Sequence, residues 1–147
     1  MQRVSAASVK ADDELVAAIE GGLLALVGIE SDDGEPDLAA AAEKVAGLRI
    51  FPDESGAMNL SIGEIGGSVL LVTQFTLLAD LKRGRRPSFS GAAPPEVAAP
   101  LVERLRELIE SQGIHTESGR FGARMEVSLV NEGPVTLVLD VRGGRVV

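Results

Sequence analysis

Within the first thirty residues, an alternation of apolar and polar positions gives way to a continuously apolar run. The stretch RVSAASVKA, which starts at residue 3, alternates moderately and predicts a first strand. LVAAIEGGLLALVGIE follows, and the pair Gly21-Gly22 divides it by a turn. Its second half is apolar throughout, which is typical of a strand that is buried on both faces.

Two later segments have the composition and spacing of helices. SDDGEPD is loop material, and its last residue, Asp37, is placed to cap a helix over the alanine-rich LAAAAEKVAGLRI. PEVAAPLVERLRELIESQG has apolar residues at helical spacing and should end near Gly113. The apolar positions of this second helix are Val97, Leu101, Leu105 and Leu108.

Between the two helices the pattern is that of strands, followed by a long irregular loop. FPDESGAMNLSI has turn residues at positions 53–56, and SVLLVTQFTLLAD, residues 68–80, is the strongest strand signal in the chain. The periodicity then stops over the fifteen residues of LKRGRRPSFSGAAPP. Loops of that length in a small domain are usually functional or mobile.

The chain closes with strand-like sequence that contains one defect. VSLVNEGPVTLVLDV, residues 127–141, is apolar on both sides of Asn131-Glu132-Gly133-Pro134. Proline donates no backbone N–H, and glycine adopts backbone conformations that other residues avoid. The simplest interpretation is a hairpin turn between two strands. The alternative is that the exposed backbone at Gly133-Pro134 is itself a functional element.

The order of these elements predicts one α+β domain over residues 1–147, with a mainly antiparallel sheet or barrel and two principal helices. A chain of 147 residues is long enough to bury a core without disulfides. It has no cysteine and a single histidine, His115, so any Ser-His-Asp triad would have to use that residue. We expect no metal site and no cofactor.

The net charge of −8 is unevenly distributed along the chain. Residues 1–80 hold 4 basic and 14 acidic groups, whereas residues 81–147 hold 10 basic and 8 acidic groups. An acidic protein has little non-specific affinity for nucleic acid, so DNA is not an expected partner. The basic run KRGRR, residues 82–86, can still contact one phosphate-rich end, or it can be a solvated loop. No signal peptide or membrane-spanning run is visible, which favours the cytoplasm.

Three segments have more glycine, proline and hydroxyl groups than packing requires. They are TQFTL (residues 73–77), RRPSFS (residues 85–90) and NEGPVT (residues 131–136). Together with LRIFPDESGAMNLSI and FGARMEVSLV they resemble the bacterial-type D-aminoacyl-tRNA deacylase family, whose members carry SQFTL-like and N-x-G-P-x-T motifs. The resemblance covers nearly the whole chain. It departs at Thr73, Arg124 and Glu132, where serine and two acidic residues are usual, and the amino terminus is a few residues short.

The resemblance implies an α+β fold, a homodimer, and hydrolysis of the ester between a D-amino acid and tRNA. It further implies that the Gly133-Pro134 peptide bond is cis and reaches into the active site of the partner subunit. Two backbone carbonyl groups would then exclude an L-side chain, whereas a D-side chain would point to solvent. Glycine, which has no side chain, would pass this gate.

The resemblance also assigns roles to particular residues. Thr73, Gln74, Phe75 and Thr76 would form the catalytic segment, with backbone N–H groups or the Gln74 amide stabilising the oxyanion. The terminal ribose 2′-hydroxyl of tRNA would assist water, since no base adjoins either threonine. Substrate would be bound by Gly133, Pro134, Phe89, Met125 and Arg86, with Phe89 stacking on the terminal adenine and Arg86 contacting phosphate.

Each of these residues also has a purely structural interpretation. Threonine is common in strands, both phenylalanines and Met125 suit a core, and Arg86 suits a solvated loop. Two other functions remain open. One is an editing module that removes a wrong L-amino acid, and the other is a module that binds RNA ends without catalysis.

Overall fold

The computed structural model describes all 147 residues and contains ten strands, two α-helices and one 3₁₀ turn. The strands are β1 Gln2–Ala11, β2 Glu14–Ile19, β3 Gly22–Val27, β4 Phe51–Pro52, β5 Met58–Leu60, β6 Ser68–Thr73, β7 Thr116–Ser118, β8 Met125–Thr136, β9 Val141–Arg142 and β10 Arg145–Val146. The helices are α1 Glu35–Gly47 and α2 Pro95–Glu110, and the 3₁₀ turn is Phe75–Leu78. Neither α-helix has the length and apolar content needed to span a bilayer.

Strand β1 organises the main sheet. One of its edges pairs antiparallel with β8, while its other edge pairs with β3 near the start and with β2 near the end. From β3 the sheet continues through β6 to β7 in parallel register. Antiparallel pairings predominate, and two helices accompany the sheet, so the predicted α+β class is confirmed.

The sheet curves so that both of its faces are buried. Eight residues, including Val4, Leu24 and Leu70, form a core inside the curve. Seventeen others, including Leu71 and Ile109, form a core between the sheet and the two helices. Neighbouring residues of β6 therefore belong to opposite cores, which explains why this strand is apolar at every position.

Both helices form where the sequence predicts them, with corrections in detail. The residue that precedes α1 is Gly34, and Asp37 lies within the first turn, where its carboxylate accepts hydrogen bonds from the N–H groups of Gly34 (3.0 Å) and Gly144 (2.8 Å). Asp37 thus caps the helix from inside it. The prediction that α1 runs to Ile50 is wrong, because the chain turns away after Gly47 to bury Ile50 against the core.

The predicted buried face of α2 is shifted by about one residue. The residues that α2 buries are Ala98, Val102, Leu105 and Ile109, and of the predicted set only Leu105 is among them. Val97 is 39% exposed. The apolar stripe of this helix is wider than its contact with the sheet, so the spacing alone does not determine which edge of the stripe is buried.

At the strand ends, one prediction is wrong, and so is one of the two interpretations given for residues 131–134. The apolar run after Ser68 is not one strand to residue 80, because β6 ends at Thr73 and the chain turns into the 3₁₀ segment. Nor do residues 131–134 form a hairpin, because β8 continues through them to Thr136. In the register with β1, Val4 faces Asn131 and Gln2 faces Thr136, so β8 has three more residues than β1 over this interval. The extra residues protrude as a bulge.

Candidate active site

The segment of residues 73–76 forms where the chain leaves β6. Thr73 is the last residue paired with β3, opposite Val27, and the N–H of Gln74 donates to the Val27 carbonyl at 2.8 Å. The following turn packs closely on Gly28. A Cβ atom at that position would lie 3.2 Å from Leu78 Cγ, so a small residue suits the contact. The end of the parallel strand pair thus fixes the backbone of the segment.

This segment presents hydrogen-bond donors to the surface. The first hydrogen bond of the 3₁₀ turn runs from the Leu77 N–H to the Gln74 carbonyl at 3.1 Å. The N–H groups of Phe75 and Thr76 precede it and have no acceptor within the turn. The Gln74 side-chain amide donates to Thr76 Oγ1 at 2.5 Å. Such donors can stabilise a developing oxyanion.

The segment contains no activated nucleophile. No carboxylate, imidazole or amine is hydrogen-bonded to Thr73, Gln74 or Thr76. His115 is an exposed residue beside β7, and its Nε2 lies 2.9 Å from a Glu117 carboxylate oxygen. It therefore completes no triad with either threonine. Chemistry at this segment has to rely on positioning and on its hydrogen-bond donors.

The long loop brings an aromatic residue to the same place. The Phe89 ring meets the Phe75 ring edge-to-face, with centroids 5.0 Å apart. Two backbone hydrogen bonds between Asp80 and Ser88, at 2.8 and 3.0 Å, close the loop at its base. Arg86 lies in the exposed loop between them and takes part in no ion pair.

Met125 lies near the same end of β6. It begins β8 opposite Ala11 and is partly buried against the core inside the curved sheet. Its sulfur packs on Gly119, where an added Cβ would lie only 2.8 Å away. The Gly119 N–H donates to the Leu71 carbonyl at 2.9 Å, two residues before Thr73. Met125 is thus a residue of both the core and the neighbourhood of the candidate site.

The bulge of residues 131–136 is exposed at Gly133 and Pro134, and the peptide bond between them is cis. Its support is Arg3, a residue that the sequence did not single out. Arg3 is only 8% exposed, and its guanidinium donates to the carbonyls of Ile50 (2.6 Å) and Glu132 (3.2 Å). Gly133 has φ +118°, and a Cβ there would lie 2.6 Å from Arg3 Nη2. The bulge therefore requires both the arginine and the glycine.

Asn131 closes the base of the same bulge. Its side-chain N–H₂ group donates to the carbonyls of Arg3 (3.0 Å) and Val135 (2.9 Å), and its oxygen accepts from Thr136 Oγ1 at 3.3 Å. The Asn and Thr of the N-x-G-P-x-T pattern thus hold the two ends of the protruding backbone. For Arg3, the sequence offers only the weak signal of a charged residue within a strand, a signal that Lys10 of the same strand shares.

The two segments do not meet within one chain. Strands β1 and β3 lie between β8 and β6, which gives about 14 Å across the sheet at its usual spacing. Along the strands, the bulge is level with the pair Arg3 and Leu23, whereas Thr73 faces Val27. Those four residues add a displacement of about 13 Å. The two segments are therefore well separated along and across the sheet of one chain.

Comparison with known proteins assigns the chain to a family. A profile described as D-Tyr-tRNA(Tyr) deacylase matches residues 1–140, and this protein belongs to that family. A D-aminoacyl-tRNA deacylase of Desulfatibacillum aliphaticivorans is 51% identical over 95% of this chain and 96% of its own length. Another, from Roseiflexus sp. (strain RS-1), is 56% identical over 95% of this chain and 90% of its own length.

Solved structures agree with this assignment at the level of the fold. A c-Myc DNA unwinding element binding protein superposes with a TM-score of 0.86, at 35% identity, over 92% of this chain and 93% of its own. A probable eukaryotic D-amino acid tRNA deacylase superposes with a TM-score of 0.75, at 21% identity, over 90% of this chain and 92% of its own. The second likeness, at that identity, concerns the fold alone.

Proposed function

We propose that this protein hydrolyses the ester bond between a D-amino acid and tRNA, releasing the free amino acid and tRNA. The observation that carries the proposal is the segment of residues 73–76. It offers backbone N–H groups at the surface without a nucleophile or base, in a chain that belongs to the D-Tyr-tRNA(Tyr) deacylase family. That combination suits an ester that is already activated.

The proposed mechanism relies on positioning and charge stabilisation. Water, assisted by the 2′-hydroxyl of the terminal ribose, attacks the ester carbonyl. The N–H groups of Phe75 and Thr76, with the Gln74 amide, stabilise the oxyanion of the tetrahedral intermediate. The ribose oxygen then leaves with a proton, and the carboxylate of the amino acid is released. Neither Thr73 nor Thr76 acts as a nucleophile in this scheme.

The second part of the proposal is a homodimer in which the Gly133-Pro134 backbone of one subunit gates the cleft of the other. The separation of the two segments within one chain supports it, as does exposed apolar surface on or beside each. Val130 of β8 is 58% exposed and Phe75 is 59% exposed, more than is usual for such side chains. Backbone carbonyls in the cleft would exclude an L-side chain and admit D-amino acids and glycine.

The remaining predicted residues would bind the end of the tRNA. Phe89, which packs against Phe75, would stack on the terminal adenine, and Met125 would form a wall of the pocket. Arg86 in the exposed loop would contact phosphate. Since aminoacyl-tRNA is used in translation, this activity would take place in the cytoplasm.

The decisive assay compares ester loss from D-Tyr-tRNA, L-Tyr-tRNA and Gly-tRNA at equal enzyme concentration. We expect rapid loss of the D-ester, slower loss of the glycyl ester and no acceleration for the L-ester. Cleavage of the L-ester would favour the editing module, and binding without cleavage the RNA-end module. A duplex DNA of equal length serves as a control, and weak binding is expected because the protein carries a charge of −8.

The subunit arrangement has its own test, which uses two variants that must first each be shown to have lost activity toward the D-ester. Gly133→Ala disturbs the bulge through the contact with Arg3, and Phe75→Pro removes one oxyanion donor. If the gate acts across subunits, one of the two sites in each mixed dimer is intact. Mixed dimers make up half of an equimolar mixture, so the mixture should recover about a quarter of wild-type activity. A mixture that stays inactive after subunit exchange is demonstrated would refute the arrangement. Light scattering measures the dimer independently.

A further inference from the structure

The free positive charge of this protein is concentrated in one loop. Five of its 14 lysine and arginine residues form ion pairs with carboxylates, and the other nine form none. Four of those nine lie within five consecutive exposed residues and form the loop cluster. They are Lys82, Arg83, Arg85 and Arg86. Residues 81–95 contain no aspartate or glutamate, so no carboxylate of the loop neutralises this cluster.

The loop cluster lies beside the candidate active site. The backbone hydrogen bonds between Asp80 and Ser88 close the loop at its base, and the Phe89 ring contacts the Phe75 ring with centroids 5.0 Å apart. Five consecutive residues span at most about 17 Å. The phosphates that the cluster can contact are therefore those of a short stretch of RNA next to this site.

One more free cation reaches the same neighbourhood from a different part of the chain. Arg124 is exposed, forms no ion pair and directly precedes Met125. The Met125 sulfur packs on Gly119, whose N–H donates to the Leu71 carbonyl at 2.9 Å, two residues before the end of β6. Arg124 therefore adds a fifth free positive charge near the candidate site.

The rest of the surface is unfavourable for RNA. Apart from the loop cluster the chain carries −12, since the total of −8 includes the four positive charges of the cluster. On α2, Arg104 is occupied by Glu35 (2.8 Å) and Glu107 (3.0 Å). The free cations elsewhere are single residues, namely Lys10, Lys44, Arg49 and Arg145. Because phosphate affinity comes from free cations and acidic surface repels RNA, attraction is confined to the candidate site.

We propose that the protein binds only the unpaired 3′ end of its tRNA substrate, through the loop cluster and Arg124, and that the tRNA body makes no net attractive contact. This inference rests on the proposed function and adds the part of the substrate that is recognised. Five free cations suffice for the few phosphates of an unpaired end. tRNAs that share this end but differ in their bodies are then equivalent substrates.

The first experiment compares D-Tyr-tRNA with a D-Tyr-microhelix, an RNA that keeps only the acceptor stem and the 3′ end. We expect the two kcat/KM values to agree within about fivefold, because the part removed contributes no attraction. If the full tRNA is cleaved and the microhelix is worse by more than this, the body is bound, and the inference is overturned while the proposed function stands. If neither RNA is cleaved, the proposed function is refuted and the inference with it.

Salt dependence counts the phosphates that are contacted. Each phosphate neutralised on a single strand contributes about −0.7 to the slope of log affinity against log salt, so five contacts weaken binding by about 10²-fold between 50 and 200 mM salt. Contacts along the body, to about 6–10 phosphates, would weaken it by about 10³–10⁵-fold. Single-turnover kinetics at rising enzyme concentration give the apparent Kd for D-Tyr-tRNA. A loss of about 10³-fold or more, or of less than about tenfold, overturns the inference.

Two variants of equal net charge test the location. The loop variant combines Lys82→Gln, Arg83→Gln, Arg85→Gln and Arg86→Gln, and the control combines Lys10→Gln, Lys44→Gln, Arg49→Gln and Arg145→Gln. We expect the loop variant to keep its Tm, to raise KM more than it lowers kcat, and to reduce the salt slope from about −3.5 to about −0.7. The control should retain the wild-type slope. Equal changes in both variants, or an unchanged slope in the loop variant, would show that the phosphates do not lie at this loop and would overturn the inference.

Discussion

The segment of residues 73–76 and the bulge of residues 131–136 are both exposed polar backbone, yet different forces hold them. The first is fixed by main-chain hydrogen bonds at the end of β6, and its one side-chain bond joins Gln74 to Thr76. The second is fixed by side chains. Arg3 reaches it from the opposite end of the sequence, and Asn131 spans its base.

This difference determines which substitutions should matter in each region. A shape made by main-chain bonds tolerates changes of side chain but not the loss of an N–H group that does chemistry. Where a distant side chain holds the backbone in place, the exposed residues of that backbone tolerate substitution less than their surface position suggests. The reason is that the backbone conformation depends on a buried partner. Substitutions in the two regions distinguish these two cases.

The largest effect is expected from Phe75→Pro. Proline suits the first position of a helical turn, where the N–H has no intrahelical partner, and the backbone of Gln74 (φ −147°, ψ 77°) lies outside the α region that a following proline disfavours. The fold should persist while one oxyanion donor is lost, which lowers kcat for D-Tyr-tRNA by about 10²–10³-fold. Single-turnover kinetics measure it.

Phe75→Leu is the matched control, since it retains the N–H and removes only the ring. We expect it to keep kcat within about tenfold, with a weaker contact to Phe89 worth about 1 kcal/mol. Equal losses of kcat in the two variants would show that the ring, and not the donor, matters.

The next effect is expected from Arg3→Met, which breaks the support of the bulge. The carbonyls of Ile50 and Glu132 would lose their donor, which should lower the free energy of unfolding by about 2–4 kcal/mol. A displaced gate should also lower activity toward the D-ester by up to about 10²-fold. Urea unfolding and deacylation rates measure the two effects.

Arg49→Met is the matched control for this variant. Arg49 is exposed and bonds only to Asn59, in the hairpin of β4 and β5. We expect a loss of about 1 kcal/mol or less and no change in activity. If Arg3→Met is as mild as Arg49→Met, the bulge holds its shape without the arginine, and the contrast between the two regions fails.

Strong local patterns made most of the fold predictable. The continuous apolar run after Gly22 predicted a strand buried on both faces, and the residues of β3 do alternate between two cores. The end of β6 was not predictable, because Phe75, Leu77 and Leu78 continue the apolar pattern although they leave the strand. These apolar side chains face the surface or a neighbouring cavity. Apolar periodicity alone does not distinguish such positions from those of a strand.

The site was predictable in its residues more than in its geometry. The motif resemblance named Gly133 and Pro134, but the local pattern favoured a hairpin that does not form. A bulge depends on the register with β1, a strand more than a hundred residues away, so no local signal reveals it. For the same reason Arg3 was missed: its partners lie 47 and 129 residues further along the chain.

A smaller effect is expected from Thr76→Ala in the main-chain-fixed segment. It removes the hydroxyl that accepts from the Gln74 amide but leaves the backbone N–H in place. We expect activity within about tenfold of wild type, because no base adjoins the hydroxyl to make it a nucleophile. A folded Thr76→Ala protein with activity reduced more than about 10³-fold would instead assign the threonine a direct chemical role.

The smallest effect is expected from Arg86→Ala, which touches neither region's support. Arg86 forms no ion pair and lies in the exposed loop that carries Phe89, so its loss should leave Tm and kcat unchanged. If it contacts one phosphate of the single-stranded tRNA end, KM should rise a few-fold and the dependence of log KM on log salt should weaken by about 0.7. Arg120→Ala, which removes an exposed arginine paired with Glu14, is the control of equal charge. Both variants change the net charge equally. If the salt dependence changes in Arg86→Ala alone, the phosphate lies at this loop. If it changes equally in both variants, the effect is one of general electrostatics.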